Sequence, residues 1–252
     1  MVTTTERSGQ VIVVTGAGSG IGRAMATALL DADHQVVLVG RNPHKLEATA
    51  EGYANALTAI ADVSSPDSVR SLFDLVAKRF GRLDALINNA GTFGPVGSVD
   101  TIEPEDWSDT IASNLTGVFL CSREAVQMMK AQRPRGGRII NNGSLSAHTP
   151  RPLSAAYTAT KHGVSGLTKS IALDGREFDI CCSQIDIGNA ATDMTTGIGH
   201  AAMQADGSRS PEPTFDPRYV ADTIVRMIDL PLEVNIPTLT IMANRMPYVG
   251  RG

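Results

Sequence analysis

Tyr157 and Lys161 stand four residues apart near the end of SLSAHTPRPLSAAYTATK, the stretch from Ser144 to Lys161. On a helix that spacing puts both side chains on one face, so a phenol and an ammonium share one small site. Ser144 follows the apolar run GRIINNG, which reads as a buried strand, and a Pro-containing loop separates it from the helix. Its hydroxyl could therefore face the pair. Phenol, ammonium and hydroxyl together are what is needed to move a proton on or off a carbonyl oxygen. A free phenol has a pKa of about 10, and a nearby positive charge favours the phenolate. The Tyr/Lys spacing alone is common on helices, so its meaning rests on the elements that position it.

Those elements begin with Gln10–Thr15, a continuous apolar run of the kind buried on both faces in a parallel sheet. TGAGSGIG follows at 15–22, then a helical pattern over 21–30. Glycine allows such a strand-to-helix turn to bend sharply and lets the backbone approach a ligand. Amides at the helix start can hold a pyrophosphate. Gly16, Ser19, Gly20, Ile21 and Gly22 thus form a candidate dinucleotide loop. The second strand, 34–40, ends in Gly40 and Arg41, where the adenosine ribose of a dinucleotide would lie. With no carboxylate for a 2′-hydroxyl, and a guanidinium suited to a 2′-phosphate, the pattern favours NADP(H) over NAD(H).

Strands are expected at 57–61, ending before Asp62-Val63, and at 83–88, running into Asn88-Asn89-Ala90-Gly91. Ser65 caps a helix over 66–80. A long helical stretch, 105–133, contains Asn114, a poor helix former that marks either a local kink or a functional group. After the Ser144–Lys161 region, the helix from about 154 continues through Ile171. A sixth strand is expected at 178–186, a helix at 217–228 and a last strand at 238–242. Between them, residues 188–217 are rich in Gly, Ser, Thr and Pro, with a short helix expected around 200–205, and read as a substrate lid. Strands alternating with helices define an α/β class, a single domain (1–252) with a doubly wound parallel sheet.

The composition narrows the function classes. The formal charge of −4, with 42% hydrophobic and 19% charged residues, offers no footprint for nucleic acid or an anionic membrane surface. No apolar stretch is long enough to span a bilayer, and the polar N-terminus has no signal core. Cys121, Cys181 and Cys182 have neither disulfide nor zinc spacing, so no metal site is expected and a reducing cytoplasmic setting is.

The motifs taken together resemble the short-chain dehydrogenase/reductase family over essentially the whole chain. They are TGAGSGIG at 15–22, Asp62, NNAG at 88–91, Asn114, Ser144, and Tyr157 with Lys161; Tyr157 follows Ser144 by 13 residues, as in that family. The resemblance implies a Rossmann fold of about seven strands, in the order 3-2-1-4-5-6-7, with helices on both faces. It implies Tyr157 as general acid in reduction and base in oxidation, and Ser144 holding the substrate oxygen. Lys161 would bind the nicotinamide ribose and lower the phenol's pKa, and Asn114 would anchor a water relaying protons to Lys161. Besides the loop glycines, Arg41, Asp62, Val63, Asn89, Gly91, Ile187 and Thr192 would line the cofactor with Tyr157 and Lys161. Where the family commonly has Asn-Pro-Gly, this chain has Asp186-Ile187-Gly188, which softens a turn and adds a charge beside the nicotinamide. The tail from Leu230 looks similar to members acting on 3-hydroxy acids. The expected partner is a small-molecule alcohol or carbonyl compound, with a homo-oligomer (tetramer or dimer) built on the helices at 105–133 and 154–175. His148 and His162 are read as non-catalytic. The alternatives are an NAD-dependent alcohol dehydrogenase of the same family and a dinucleotide-binding sensor without chemistry.

Overall fold

A computed structural model describes residues 9–248; the polar segment 1–8 lies outside the described residues. Strands β1 (Val11–Thr15), β2 (Gln35–Gly40), β3 (Ala56–Ile60), β4 (Ala85–Asn88), β5 (Gly137–Asn142), β6 (Ile180–Gly188) and β9 (Thr238–Met242) form one parallel sheet in the order β3-β2-β1-β4-β5-β6-β9. The expected topology is therefore present, the order of strands reversing direction at β1, where a crevice opens beyond the carboxyl ends. Residues Val11–Thr15 and Ala85–Asn88 are buried throughout, as a strand covered on both faces must be.

Each face has its own core. On one, Met25 and Leu29 of α1 (Gly20–Asp31) and Val220 and Ile224 of α8 (Arg218–Asp229) pack over Ile12, Val14, Ile140 and Ile185. On the other, Val69, Leu72 and Phe73 of α3 (Pro66–Phe80) and Cys121, Ala125 and Met129 of α5 (Gly117–Ala131) cover Val13, Leu86, Ile139 and Cys182. Ser65 accepts the Ser68 amide as the expected cap of α3, and Gly81 ends that helix in the left-handed conformation. A shorter helix, α2 (Pro43–Ala50), starts from Asn42, whose side chain accepts the Lys45 amide.

Three features differ from the sequence expectation. The long helix is α4 (Pro104–Ile111) and α5 joined by a π turn, Ala112–Thr116, centred on Asn114. Strand β6 runs on to Gly188 instead of stopping at Asp186, because Ile187, unlike a proline, can stay in the ladder opposite Ile241 of β9. The lid segment forms α7 (Thr196–Ala201), earlier than expected, and a small ribbon of β7 (Ala202–Met203) with β8 (Arg209–Ser210).

His34, just before β2, is 1% exposed, and neither ring nitrogen has a hydrogen-bond partner among the described residues. Burial lowers its pKa from the ordinary 6.5, outweighing the pull of Asp229, Asp84 and Asp33 in the opposite direction. The fold thus refuses a proton that the unfolded chain accepts, so stability present above pH 6.5 is lost as pH falls below it. In urea melts between pH 7.5 and 5.5, a His34→Leu variant should lose less stability than the wild type, the slopes differing by up to about 1.4 kcal/mol per pH unit. Equal slopes would show that folding does not lower the His34 pKa.

Candidate active site

The helix α6 (Ala155–Gly175) carries Tyr157 and Lys161 on one face, and β5 ends just before Ser144. Ser144 is buried, its Oγ accepts the Ser146 amide at 3.1 Å, and its hydroxyl lies near enough to the Tyr157 phenol to lower its pKa. The Phe93 ring stacks on the Tyr157 ring with centroids 5.0 Å apart, shielding one side of the phenol. Lys161 donates from Nζ to the Asn142 carbonyl at 2.7 Å, with Nζ 5.5 Å from the centre of the Tyr157 ring. Asn114 sits one helix away, fully buried. Its Oδ1 accepts the Thr92 amide at 2.8 Å and its Nδ2 donates to the Thr92 carbonyl at 2.7 Å, clamping the loop after β4. The π turn is what lets a helix-interior asparagine reach that loop.

Burial is the largest influence on both titrating groups. It raises the Tyr157 phenol, against the Ser144 hydroxyl and the Arg151 charge, and the Asp186 carboxylate raises it further. It pulls the Lys161 ammonium down to about 8, while Asp186 pushes it back up. Burial outweighs the charges acting on the phenol, a contribution that charge arguments from sequence leave out.

A groove along the carboxyl edge of the sheet has two chambers. The inner, about 230 Å³, is lined by Gly16, Ser19, Gly20, Ile21, Gly22, Asn89, Gly91, Tyr157, Lys161, Ile187 and Thr192. The outer, about 520 Å³, adds Arg41, Asp62 and Val63, and the two share Gly16, Ser19 and Gly91. Every candidate cofactor residue thus lies on one continuous groove. Gly22 is there for space: a Cβ would lie 2.1 Å from the Gly16 carbonyl oxygen. Asn89 closes the loop from the other side, donating from Nδ2 to the Thr15 carbonyl at 3.0 Å. The Asp62 carboxylate is held by the Ser64 amide and hydroxyl, bonds that lower its pKa.

Sequence reasoning missed several participants. Lys45 joins Arg41 in the outer chamber; it sits one turn into α2, a position that no motif marks. A row of buried polar side chains crosses the strand ends. Asn88 donates to Asn141 at 2.9 Å, Asn141 to Thr168 at 2.8 Å, and Thr168 to Gln184 at 3.4 Å. Gln184 then donates to Asp186 at 2.7 Å. His148, read as a bystander, has Nε2 2.8 Å from the other Asp186 oxygen. Arg151 forms a bidentate pair with buried Glu212, at 3.1 and 2.6 Å, and also donates to Asn189. Burial would raise the Glu212 carboxyl, but bonds from Arg151, Asn189 and Gln204 hold it at about 2. This clasp joins the loop before α6, the turn after β6 and the lid.

A glycine-rich groove passing a phenol and a serine hydroxyl at the strand ends belongs to the dinucleotide-dependent α/β oxidoreductases. The family model described as short chain dehydrogenase matches residues 10–202, and the chain belongs to that family, as an NAD(P)-dependent oxidoreductase acting on CH–OH groups. It is similar to a 3beta-hydroxysteroid dehydrogenase of Mediterraneibacter gnavus, 38% identical over 190 residues, which cover 74% of this chain and 68% of that one. A 3-ketoacyl-(acyl-carrier-protein) reductase from Brucella melitensis, complexed with NADH, superposes with a TM-score of 0.83 at 26% identity, covering 94% of this chain and 98% of that one. A metagenomic short-chain oxidoreductase in complex with NADP gives 0.79 at 31% identity, covering 95% and 99%.

Replacing Glu212 with Gln leaves a largely buried guanidinium without its counter-charge. The Glu212→Gln variant should lose about 3 kcal/mol of stability, and limited proteolysis should cut within 190–215 well before the wild type is cleaved there. An unchanged cleavage pattern would show that the clasp does not hold the lid.

Proposed function

We propose that this protein is an NADP(H)-dependent oxidoreductase that interconverts an alcohol and a ketone or aldehyde, with Tyr157 as the acid/base. The observation that carries this reading is Tyr157 with Lys161 Nζ 5.5 Å from its ring centre, both lining the inner end of the groove, with the Ser144 hydroxyl acting on the phenol. The residues suit a dinucleotide: α1 begins after Ser19, and among the described residues its first turn has no side-chain cap, leaving first-turn amides for a pyrophosphate. Gly16, Ser19, Ile21, Asn89 and Thr192 would hold it, with Lys161 on the ribose. NADP(H) is favoured over NAD(H) because Arg41 and Lys45 both line the outer chamber, where β2 ends without a carboxylate.

When bound, the nicotinamide gives or takes the hydride. In reduction Tyr157 passes its proton to the carbonyl oxygen while the Ser144 hydroxyl donates a hydrogen bond to that same oxygen; in oxidation the proton returns to Tyr157 and the Ser144 hydrogen bond serves the same oxygen. Lys161 offsets the charge left on the phenol. Asn114, its side chain locked on Thr92, anchors the water that returns a proton to Lys161. Phe93 and the loops at 92–99, 146–153 and 189–215 enclose the substrate. With Arg151 committed to Glu212, an uncharged small carbonyl compound fits better than a 3-hydroxy acid. We place the enzyme in the cytoplasm as one domain and a homo-oligomer, tetramer or dimer, in which exposed Phe119 of α5 and Leu173 of α6 meet a second copy.

With a panel of small ketones and aldehydes, Tyr157→Phe should lower kcat by about 10²–10⁴-fold while NADPH still binds. Activity near wild type would overturn the assignment. In parallel fluorescence and thermal-shift titrations, the wild type should bind NADPH more tightly than NADH, and Arg41→Asp should reverse that order. Unchanged preference would remove Arg41 from the reading.

A further inference from the structure

Asp186 stands where the family commonly has Asn, and it is 0% exposed in the second layer behind the site. A carboxylate in that position is costly unless it is fully engaged. Its partners are specific. Oδ1 accepts the Ser144 amide at 2.9 Å and Gln184 Nε2 at 2.7 Å, and Oδ2 meets His148 Nε2 at 2.8 Å. Gly143 makes the approach possible, since a Cβ there would lie 2.0 Å from Asp186 Oδ1. The chain therefore keeps residue 143 bare so that this carboxylate can reach the main chain of the residue after it.

We propose that Asp186, backed by His148, is a positioning residue for the oxidoreductase reaction: its carboxylate fixes the Ser144 main chain, and so aims the hydroxyl that meets Tyr157. The proposal rests on the roles given to Ser144 and Tyr157 above. Gln184, tied also to Ser165 at 2.9 Å, sets Asp186 from the α6 side, and the strand pairing of β6 with β9 sets it from below. His148 is the one partner that reaches the surface, its side chain 45% exposed, so the pair connects a buried site to solvent. The charge acts on the reacting groups as well: it raises both the Tyr157 phenol and the Lys161 ammonium. The charged and titratable groups around the pair are Tyr157 and Lys161 on the inner side, and Lys169, Arg176, Asp179, Cys181, Cys182 and Glu233 around the cavity that His148 borders.

The test compares Asp186→Asn, Asp186→Ala and His148→Ala with wild type in the full chain, and amide hydrogen exchange of the 143–149 segment is its substrate-free readout. An Asn can still accept the Ser144 amide, and neutral His148 can accept from its new NH₂ group, so this variant keeps the geometry without the charge. Asp186→Ala should speed Ser144 amide exchange at least tenfold and lower kcat at least tenfold, with NADPH affinity within twofold. Asp186→Asn should restore the protection and most of kcat, yet move the basic limb of the pH profile at least half a unit lower, as both reacting groups lose a negative neighbour. His148→Ala, a surface change, should speed Ser144 exchange at least threefold. Unchanged Ser144 exchange in both alanine variants, or an Asp186→Asn profile superimposable on wild type, overturns the proposal. Loss of the catalytic reading itself shows separately, as activity in Tyr157→Phe with the Asp186 exchange effects intact.

Discussion

Three neighbouring strands, β4, β5 and β6, carry one row of polar side chains that bond sideways to one another instead of to water. Asn88, Asn141 and Gln184 occupy one row of the sheet, and all three are almost completely buried. An unpaired buried amide costs about 1–3 kcal/mol, so such a row is stable only when every member finds its neighbour. The sheet imposes the arrangement: both faces are sealed by helices, so a polar side chain on these strands must find its partner within the protein. Thr168 of α6 is part of the same row. The helix that carries Tyr157 and Lys161 is therefore registered against the strand that delivers Ser144 by hydrogen bonds as well as by apolar packing.

The second dependence is on space. Gly22 lets α1 close on the Gly16 carbonyl, and Gly143 leaves the opening filled by Asp186. Both glycines are needed for room, not for an unusual backbone angle. The groove and the Ser144 pivot are thus shaped by what is absent at two positions, while the row of amides shapes them by what is present.

Much of this was legible in the sequence. The strands, the glycine loop and the place of Arg41 after β2 follow from apolar runs and local motifs, whose physics is short in range, while the strand order and the expected places of Asp62 and Thr192 came with the family resemblance. Asn114 was legible as an anomaly, a residue that a helix interior disfavours; only the fold shows that a π turn turns it toward Thr92. Lys45 and His148 were not legible, because their meaning comes from neighbours distant in the chain. The extra length of β6 escaped for a related reason. Replacing a proline restores an amide, and whether that amide pairs depends on β9, some fifty residues later. The direction of the Tyr157 shift needed the depth of burial, which no spacing encodes.

The clasp of Arg151, Asn189 and Glu212 has a bearing on how such enzymes diversify. Its members come from three separate segments, the loop before α6, the turn after β6 and the approach to α8. A lid transplanted from a relative would bring its own residue to position 212 and meet an arginine selected for another partner. New substrate ranges reached by exchanging the lid alone would arrive with a buried charge mismatch. In this chain the lid and the loop at 151 have to be inherited, or engineered, as one unit.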